Sequence, residues 1–154
     1  MIKKYHIGFI CGFFDIIHKG HIDILKFAKS HCDYLIVAVG TDEFMMKRKM
    51  HPAVLSYEQR VAIVESIRYV DKVVPEEDLD KITAQKKYHF DVMFAGDDHI
   101  NEKTYINAEK KLKKLGADTI YIPRTYIMSS TILRRRTYEI EKKYGSLEYD
   151  SCNC

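Results

Sequence analysis

Apolar segments of strand length alternate along the chain with segments that have helical spacing. The strand-like segments are residues 7–11, 34–39, 73–74, 91–95 and 119–122. Most are apolar throughout rather than alternating apolar and polar, which is typical of strands buried on both faces of a parallel sheet. Each is followed by a helical pattern, and βαβ crossovers of this kind connect parallel strands. The pattern therefore predicts an α/β fold, a doubly wound five-stranded parallel sheet with helices on both faces.

Five helices are predicted between and after these strands, at residues 22–32, 56–69, 82–88, 105–115 and from 129 or 130 onward. Ser56 and Gln59 have the spacing of a capping box, which favours a helix start. Gly116 is a typical C-terminal stop. The predicted order is β-α repeated five times, and ligands of such sheets bind beyond the carboxyl ends of the strands.

Length and composition limit the organisation to one domain. The chain has 154 residues, of which 46% are hydrophobic and 31% charged, with a net charge of +3. We expect a single domain over residues 1–144 and a polar tail over 145–154. No apolar run approaches the roughly 20 residues of a membrane span, and no signal-peptide pattern is visible, so we expect a cytoplasmic protein that binds neither membrane nor nucleic acid. Cys152 and Cys154 lack a second pair to complete a metal site, and no metal ligands are predicted.

The most informative polar segment lies between the first strand and the first helix. Two histidines three residues apart point the same way where a helix begins, and the glycine between them lets a ligand approach the backbone. A helix N-terminus attracts phosphate through its free amides and partial positive charge. The segment predicts a polyphosphate site formed by Gly12, Phe13, Phe14, Asp15, His18, Gly20 and His21.

A second phosphate motif follows the fifth strand. Arg124 offers a fixed fork of donors, and hydroxyl side chains at the start of the last helix add donors beside the backbone amides. Ordinary helix capping explains these hydroxyls equally well when they are considered alone. Together with the first motif they predict phosphate binding by Arg124, Thr125, Ser129, Ser130 and Thr131.

These motifs resemble those of the cytidylyltransferases in the HxGH nucleotidyltransferase superfamily, particularly the branch acting on glycerol 3-phosphate. The resemblance covers about residues 5–140. Its further signatures are residues 41–44, 56–60, Arg68-Tyr69-Val70-Asp71 and Gly96-Asp97-Asp98. Two residues depart from the family pattern, because Tyr126 and Ile127 stand where an acidic residue and a glycine are usual. Ser129-Ser130-Thr131-x-x-Arg134 instead resembles the adenylyl-transferring relatives.

The resemblance implies a Rossmann-like fold, a homodimer and specific roles for the site residues. His18 and His21 would contact the triphosphate, Lys49 and Lys47 would meet the substrates, and Asp97 would read the cytosine amino group. Arg124 and the start of the last helix would hold the outer phosphates. Arg68 and Lys81 are candidates for acceptor binding, and a structural ion pair at the subunit interface explains Arg68 equally well. Mg²⁺ is expected, bound mainly through the phosphates of CTP.

The expected function is transfer of a cytidylyl group from CTP to a small phosphorylated alcohol, with glycerol 3-phosphate as the first choice. The products are a CDP-alcohol and pyrophosphate. Two alternatives remain open: an adenylyltransferase acting on a sugar phosphate or cofactor precursor, and a catalytically silent nucleotide-binding module. The sequence does not identify the acceptor.

Overall fold

A five-stranded, all-parallel sheet forms the centre of the molecule in a computed structural model that describes residues 5–123 and 129–145. The spatial order of the strands is β3-β2-β1-β4-β5. Their bounds are β1 (Tyr5–Gly12), β2 (Cys32–Gly40), β3 (Lys72–Glu76), β4 (Val92–Gly96) and β5 (Asp118–Ile122). The predicted doubly wound parallel sheet is therefore confirmed.

Helices cover both faces of this sheet. They are α1 (Lys19–His31), α2 (Asp42–Lys49), α3 (Tyr57–Glu65), α4 (Lys81–Tyr88), α5 (Lys103–Lys114) and α6 (Ser130–Tyr144), with a 3₁₀ turn at Asp97–His99. Leu25 of α1 and Val64 of α3 pack on one face of the sheet. Leu112 of α5 packs on the other face, with Ile82 of α4 at the margin of the same cluster. Strand order reverses between β1 and β4, and a crevice forms at such a switch point.

Local signals account for most of the helix ends. Ser56 and Gln59 form the predicted capping box at the start of α3. Gly116, just beyond α5, has φ +82°, a left-handed conformation that glycine adopts without strain. Helix α3 ends at Glu65, so the prediction that it extends to residue 69 is wrong. The chain tightens there through a bond from the Ile67 amide to the Val64 carbonyl.

Helix α2 lies in a segment for which the sequence analysis predicted no helix. Thr41 caps it by accepting from the Phe44 amide, and Asp42 and Glu43 complement the helix dipole in its first turn. Only Phe44 and Met45 are buried, so no apolar stripe recurs along its eight residues. The helix therefore carries no periodic signal. Residues 5–123 and 129–145 consequently contain six α-helices, one more than the five predicted.

None of the described helices is long and apolar enough to span a membrane. Helix α6 ends at Tyr144, and Gly145 is the last residue that the structure describes. The predicted tail of residues 145–154 therefore lies almost wholly outside the described residues, as do Cys152 and Cys154.

Candidate active site

A cleft of about 750 Å³ opens at the carboxyl ends of the strands. Its walls are the β1–α1 loop, the end of α2, the end of β3, the 3₁₀ turn after β4 and the start of α6. All seven residues predicted for the first motif line this cleft. They are Gly12, Phe13, Phe14, Asp15, His18, Gly20 and His21.

The two histidine rings lie side by side at the start of α1, tilted by 35° to each other. His18 is the N-cap residue, and the ring centroids of His18 and His21 are 4.0 Å apart. The Gly20 amide donates to His18 Nδ1 at 3.1 Å, and the His18 amide donates to His21 Nδ1 at 3.4 Å. A backbone amide can only donate, so each Nδ1 is an acceptor and each ring carries its proton on Nε2. The pair therefore supplies two N–H donors, which suits it to bind phosphate oxygens rather than to remove a proton.

Asp15 connects three walls of the cleft. It is 2% exposed. One carboxylate oxygen accepts from the amides of Val54 and Leu55 at 3.0 and 3.3 Å, and the other accepts from Arg134 Nη1 at 2.7 Å. Its backbone carbonyl accepts from the Ser130 hydroxyl. These contacts join the β1–α1 loop to the α2–α3 loop and to α6, so Asp15 positions the site in this structure.

The backbone around Asp15 is strained. Phe14 and Ile16 both have φ of 52°, in the left-handed region that a β-branched residue rarely adopts. Such conformations cost about 1–3 kcal/mol each and persist only where surrounding contacts impose them. The four hydrogen bonds to Asp15 are contacts of this kind.

A buried arginine holds the position of Phe13. Arg60 is fully buried and donates to the carbonyls of Phe13 and Gly40, both at 2.7 Å. A Cβ atom on Gly40 would overlap the Phe13 ring, so the close approach requires glycine. The sequence placed Arg60 only within a family motif, and its role in supporting the cleft wall was not predicted.

Two of the three basic residues at the end of α2 line the cleft. Lys49 and Arg48 line it, whereas Lys47 is exposed and does not. Arg48 also approaches Glu102, the N-cap residue of α5, at 3.5 Å. His51, which the sequence analysis did not select, lines the same wall.

The start of α6 forms another wall of the cleft. Ser129, Ser130 and Thr131 line the cleft, as predicted, together with Arg134. Ser129 also caps the helix by accepting from the Ile132 amide at 3.3 Å, so the capping explanation holds for this residue alongside its place on the cleft. Arg124 and Thr125, like the departures at Tyr126 and Ile127, lie outside the described residues.

The remaining predicted residues, Asp97, Arg68 and Lys81, do not line the cleft. Asp97 starts the 3₁₀ turn but is not among the described residues that line the cleft, whereas its neighbour Asp98 is. Arg68 is exposed and also stands outside the lining. Lys81 is buried and does not line the cleft, but it pairs with Glu76, which does. Glu76, Cys11 and Tyr105 carry no motif that sequence analysis could have found.

Comparison with known proteins agrees with this geometry. Residues 9–136 match the family model described as cytidylyltransferase-like. Glycerol-3-phosphate cytidylyltransferase of Bacillus subtilis (strain 168) is 38% identical over 80% of this chain and 90% of its own. FAD synthase of Pyrococcus horikoshii is 39% identical over 75% of this chain and 78% of its own.

A solved structure shares the fold at lower identity. The lipopolysaccharide core biosynthesis protein from Thermoplasma volcanium GSS1 superposes with a TM-score of 0.66 at 22% identity, covering 80% of this chain and 99% of that one.

A parallel α/β sheet whose switch-point crevice carries a histidine pair at a helix N-terminus is suited to bind the phosphates of a nucleotide. Together with relatives that transfer nucleotidyl groups, it defines the protein as a nucleotidyltransferase. The family model and the curated relatives narrow this class of enzyme to one family. The chain belongs to the cytidylyltransferase-like family.

Proposed function

We propose that the protein transfers the cytidylyl group of CTP to glycerol 3-phosphate, giving CDP-glycerol and pyrophosphate. The observation that carries this proposal is the paired Nε2–H donors of His18 and His21 in a cleft shared with the start of α6. The choice of substrates rests on the Bacillus subtilis relative, which aligns over 90% of its length.

In the proposed reaction an oxygen of the acceptor phosphate attacks the α-phosphorus of CTP. The bond from that phosphorus to the bridging oxygen breaks, and pyrophosphate leaves with the electron pair. A phosphate monoester has its second pKa near 6, so it is largely ionised at pH 7 and no side chain has to remove a proton. Catalysis then depends on positioning and on neutralising charge in the transition state.

Each wall of the cleft has a role in this scheme. His18 and His21 donate to oxygens around the reacting phosphorus, and their capping bonds fix the orientation of both rings. The amides and hydroxyls at the start of α6, with Arg124 and Thr125, hold the outer phosphates. Lys49, with Lys47 beside it, neutralises phosphate charge from the α2 side. Asp15 acts through position, because its carboxylate is already engaged.

Magnesium enters this scheme as part of the nucleotide substrate. Among residues 5–123 and 129–145, no group of three or more His, Cys, Asp or Glu side chains is placed to hold a metal ion. Mg²⁺ readily keeps water ligands and binds through substrate phosphates. Mg·CTP is therefore the proposed substrate form.

Two further parts of the proposal concern the base and the assembly. Asp97 reads the cytosine amino group from the 3₁₀ turn, where a carboxylate accepts from an exocyclic amine.

The protein acts as a cytoplasmic homodimer, with the exposed Arg68 segment near the interface or contributing to acceptor binding. Light scattering in solution measures the mass that a dimer requires.

A second candidate is adenylyl transfer to a cofactor precursor. It is favoured by the FAD synthase relative and by Arg134, which lines the cleft in the motif shared with adenylyl-transferring enzymes. FAD contains an adenosine monophosphate unit, so this activity would use ATP.

Pyrophosphate release across the four nucleoside triphosphates separates the two candidates. Glycerol 3-phosphate, phosphoethanolamine, phosphocholine and FMN serve as acceptors. We expect turnover with CTP and glycerol 3-phosphate. Turnover with ATP and FMN, and none with CTP and glycerol 3-phosphate, would instead support adenylyl transfer. Tight CTP binding without turnover on any acceptor would indicate a silent binding module.

A further inference from the structure

Three basic residues end helix α2, and they differ in whether they reach the cleft. Lys47, Arg48 and Lys49 occupy its last turn, where cations complement the helix dipole. Successive residues of an α-helix differ by about 100° in direction, so three in a row cannot all face one cleft. Arg48 and Lys49 line the cleft, whereas Lys47 does not. The family resemblance assigns substrate contacts to the two lysines, so the structure adds an arginine for which the motifs do not account.

The guanidinium of Arg48 is held loosely in this structure. Its Nη2 atom approaches Glu102 Oε2 at 3.5 Å, and its side chain is 41% exposed. Arg134, the other described arginine that lines the cleft, is instead fixed by Asp15 at 2.7 Å. An exposed ion pair contributes little to stability, and a guanidinium has five N–H donors to offer. Arg48 can therefore turn to a stronger anionic partner at little cost.

Glu102 does not depend on Arg48 for a hydrogen bond. It is the N-cap residue of α5, but its side chain makes no capping hydrogen bond. Its Oε1 atom lies 2.9 Å from His99 Nδ1, which donates because a carboxylate can only accept. The His99 ring is in turn stacked on Tyr105 with centroids 4.3 Å apart. The carboxylate consequently keeps a firm partner, at the positive end of the α5 dipole, when Arg48 leaves it.

Resting on the proposed function, we infer that Arg48 is a further phosphate-binding residue, which exchanges Glu102 for a phosphate group of the substrates. A phosphate can accept two parallel N–H···O bonds from a guanidinium, and such bonds are shorter and stronger than the 3.5 Å contact to Glu102. The phosphate belongs to CTP or to the acceptor, and the chemistry of recognition is the same for both. Glu102 is the counter-ion that this phosphate replaces.

The exchange makes the effect of Glu102 on binding depend on Arg48. Glu102 competes with the phosphate for one guanidinium, so removal of its charge should tighten substrate binding. A glutamine at position 102 keeps an oxygen that can accept from His99 Nδ1, and no capping bond is lost. Without Arg48, only a screened, longer-range repulsion between Glu102 and the phosphate remains. Glu102→Gln should therefore have a much smaller effect when Arg48 has been replaced.

Summed charge alone would predict a different result. Lys47 and Arg48 each carry one positive charge in the same turn of α2, so a purely long-range effect would make their contributions similar. Direct contact with phosphate makes the contributions unequal, because only Arg48 of these two lines the cleft. A comparison of the two residues therefore separates contact from summed charge.

Steady-state kinetics with Mg·CTP and glycerol 3-phosphate test the inference, and each KM is measured with the other substrate at saturation. The variants are Arg48→Met, Arg48→Lys, Lys47→Met, Glu102→Gln and the double variant Arg48→Met with Glu102→Gln. Arg136→Met is the matched control, because Arg136 is an exposed arginine that does not line the cleft. Thermal unfolding measures whether each variant is folded.

We expect Arg48→Met to raise the KM of the substrate that it binds at least about tenfold, the size of one lost hydrogen bond to a charged group. The KM that rises identifies the phosphate as that of CTP or that of the acceptor. Arg48→Lys should recover only part of the loss, because an ammonium lacks the planar fork. Lys47→Met should raise the same KM less than Arg48→Met does, and Arg136→Met should match the wild type.

Glu102→Gln should lower the same KM about two- to fourfold, the size of an exposed ion pair. In the double variant, the added Glu102→Gln substitution should leave the KM close to that of Arg48→Met. Equal effects of Glu102→Gln with and without Arg48 would show that no exchange takes place and would overturn the inference.

The same assays distinguish failure of this inference from failure of the proposed function. Absence of CTP turnover with every acceptor overturns the proposed function and the inference with it. CTP turnover with both KM values of Arg48→Met equal to those of the wild type overturns the inference alone, as do equal losses in Arg48→Met and Lys47→Met. If Arg48→Met does not fold, the KM values of Arg48→Lys and Glu102→Gln decide.

Discussion

Replacing Asp15 by asparagine should loosen the cleft without unfolding the protein. The substitution keeps the shape of the side chain but exchanges one carboxylate oxygen for an amide that only donates. The remaining oxygen can accept from the amides of Val54 and Leu55, which leaves the new amide group facing Arg134. The charged bond at 2.7 Å is then lost, and two donors face each other.

The magnitude follows from the exposure of the two partners. Asp15 is 2% exposed, whereas the Arg134 side chain is 28% exposed and can turn partly towards solvent. A hydrogen bond to a charged group contributes about 1.5–3 kcal/mol, so we expect a loss of about 2 kcal/mol in the free energy of unfolding. For a chain of this length that corresponds to a fall in Tm of about 4–8 °C.

A double-mutant cycle measures the interaction directly. Asp15→Asn, Arg134→Met and the double variant are unfolded in urea, and the same cycle is made with Arg135→Met and Glu139→Gln. The Arg135–Glu139 pair lies on the same helix at 2.9 Å but is largely exposed, so its coupling energy should be about 0.3–0.5 kcal/mol. The Asp15–Arg134 coupling should be about 1.5 kcal/mol or more. Equal coupling in the two cycles would refute the view that Asp15 holds the cleft walls together.

Two further substitutions separate structure from catalysis. His18→Asn should retain the cap on α1, because asparagine is a favoured N-cap residue. It should nevertheless lower kcat by on the order of 100-fold, because the Nε2–H donor is lost. A kcat within threefold of the wild type would contradict the proposed role of His18. Gly40→Ala should displace the Phe13 ring and raise the KM for CTP roughly three- to tenfold, about 1 kcal/mol in binding. Gly116→Ala is its control, since its φ of +82° also strains a side chain but a Cβ there meets open space away from the cleft. Equal KM values for CTP in the two glycine variants would argue against the Phe13 contact.

The contiguous motif around the histidines was readable from the sequence because its geometry is local. Residues three apart at a helix start meet on one side, and the capping bonds involve only His18, Gly20 and His21. Helix α2 was missed because the sequence shows no sign of it. It is held by a cap and two adjacent buried side chains, which leave no helical period in the sequence.

The sequence by itself determined the alternation of strands and helices, and with it a parallel sheet covered on both faces. Strands that are apolar on both sides have no stable alternative to burial between two helical layers. Local spacing also determined that a histidine pair stands where α1 begins.

Only the tertiary structure decided which distant residues meet. Asp15 bonds to residues 39 and 119 positions away, and the residues that line the cleft come from elements as distant in the sequence as β1, α2, β3 and α6. These encounters depend on the strand order β3-β2-β1-β4-β5, which brings the ends of separate crossovers to one edge of the sheet. Hydrophobic periodicity specifies the faces of each element, but it carries no information about which charged side chains share a buried site.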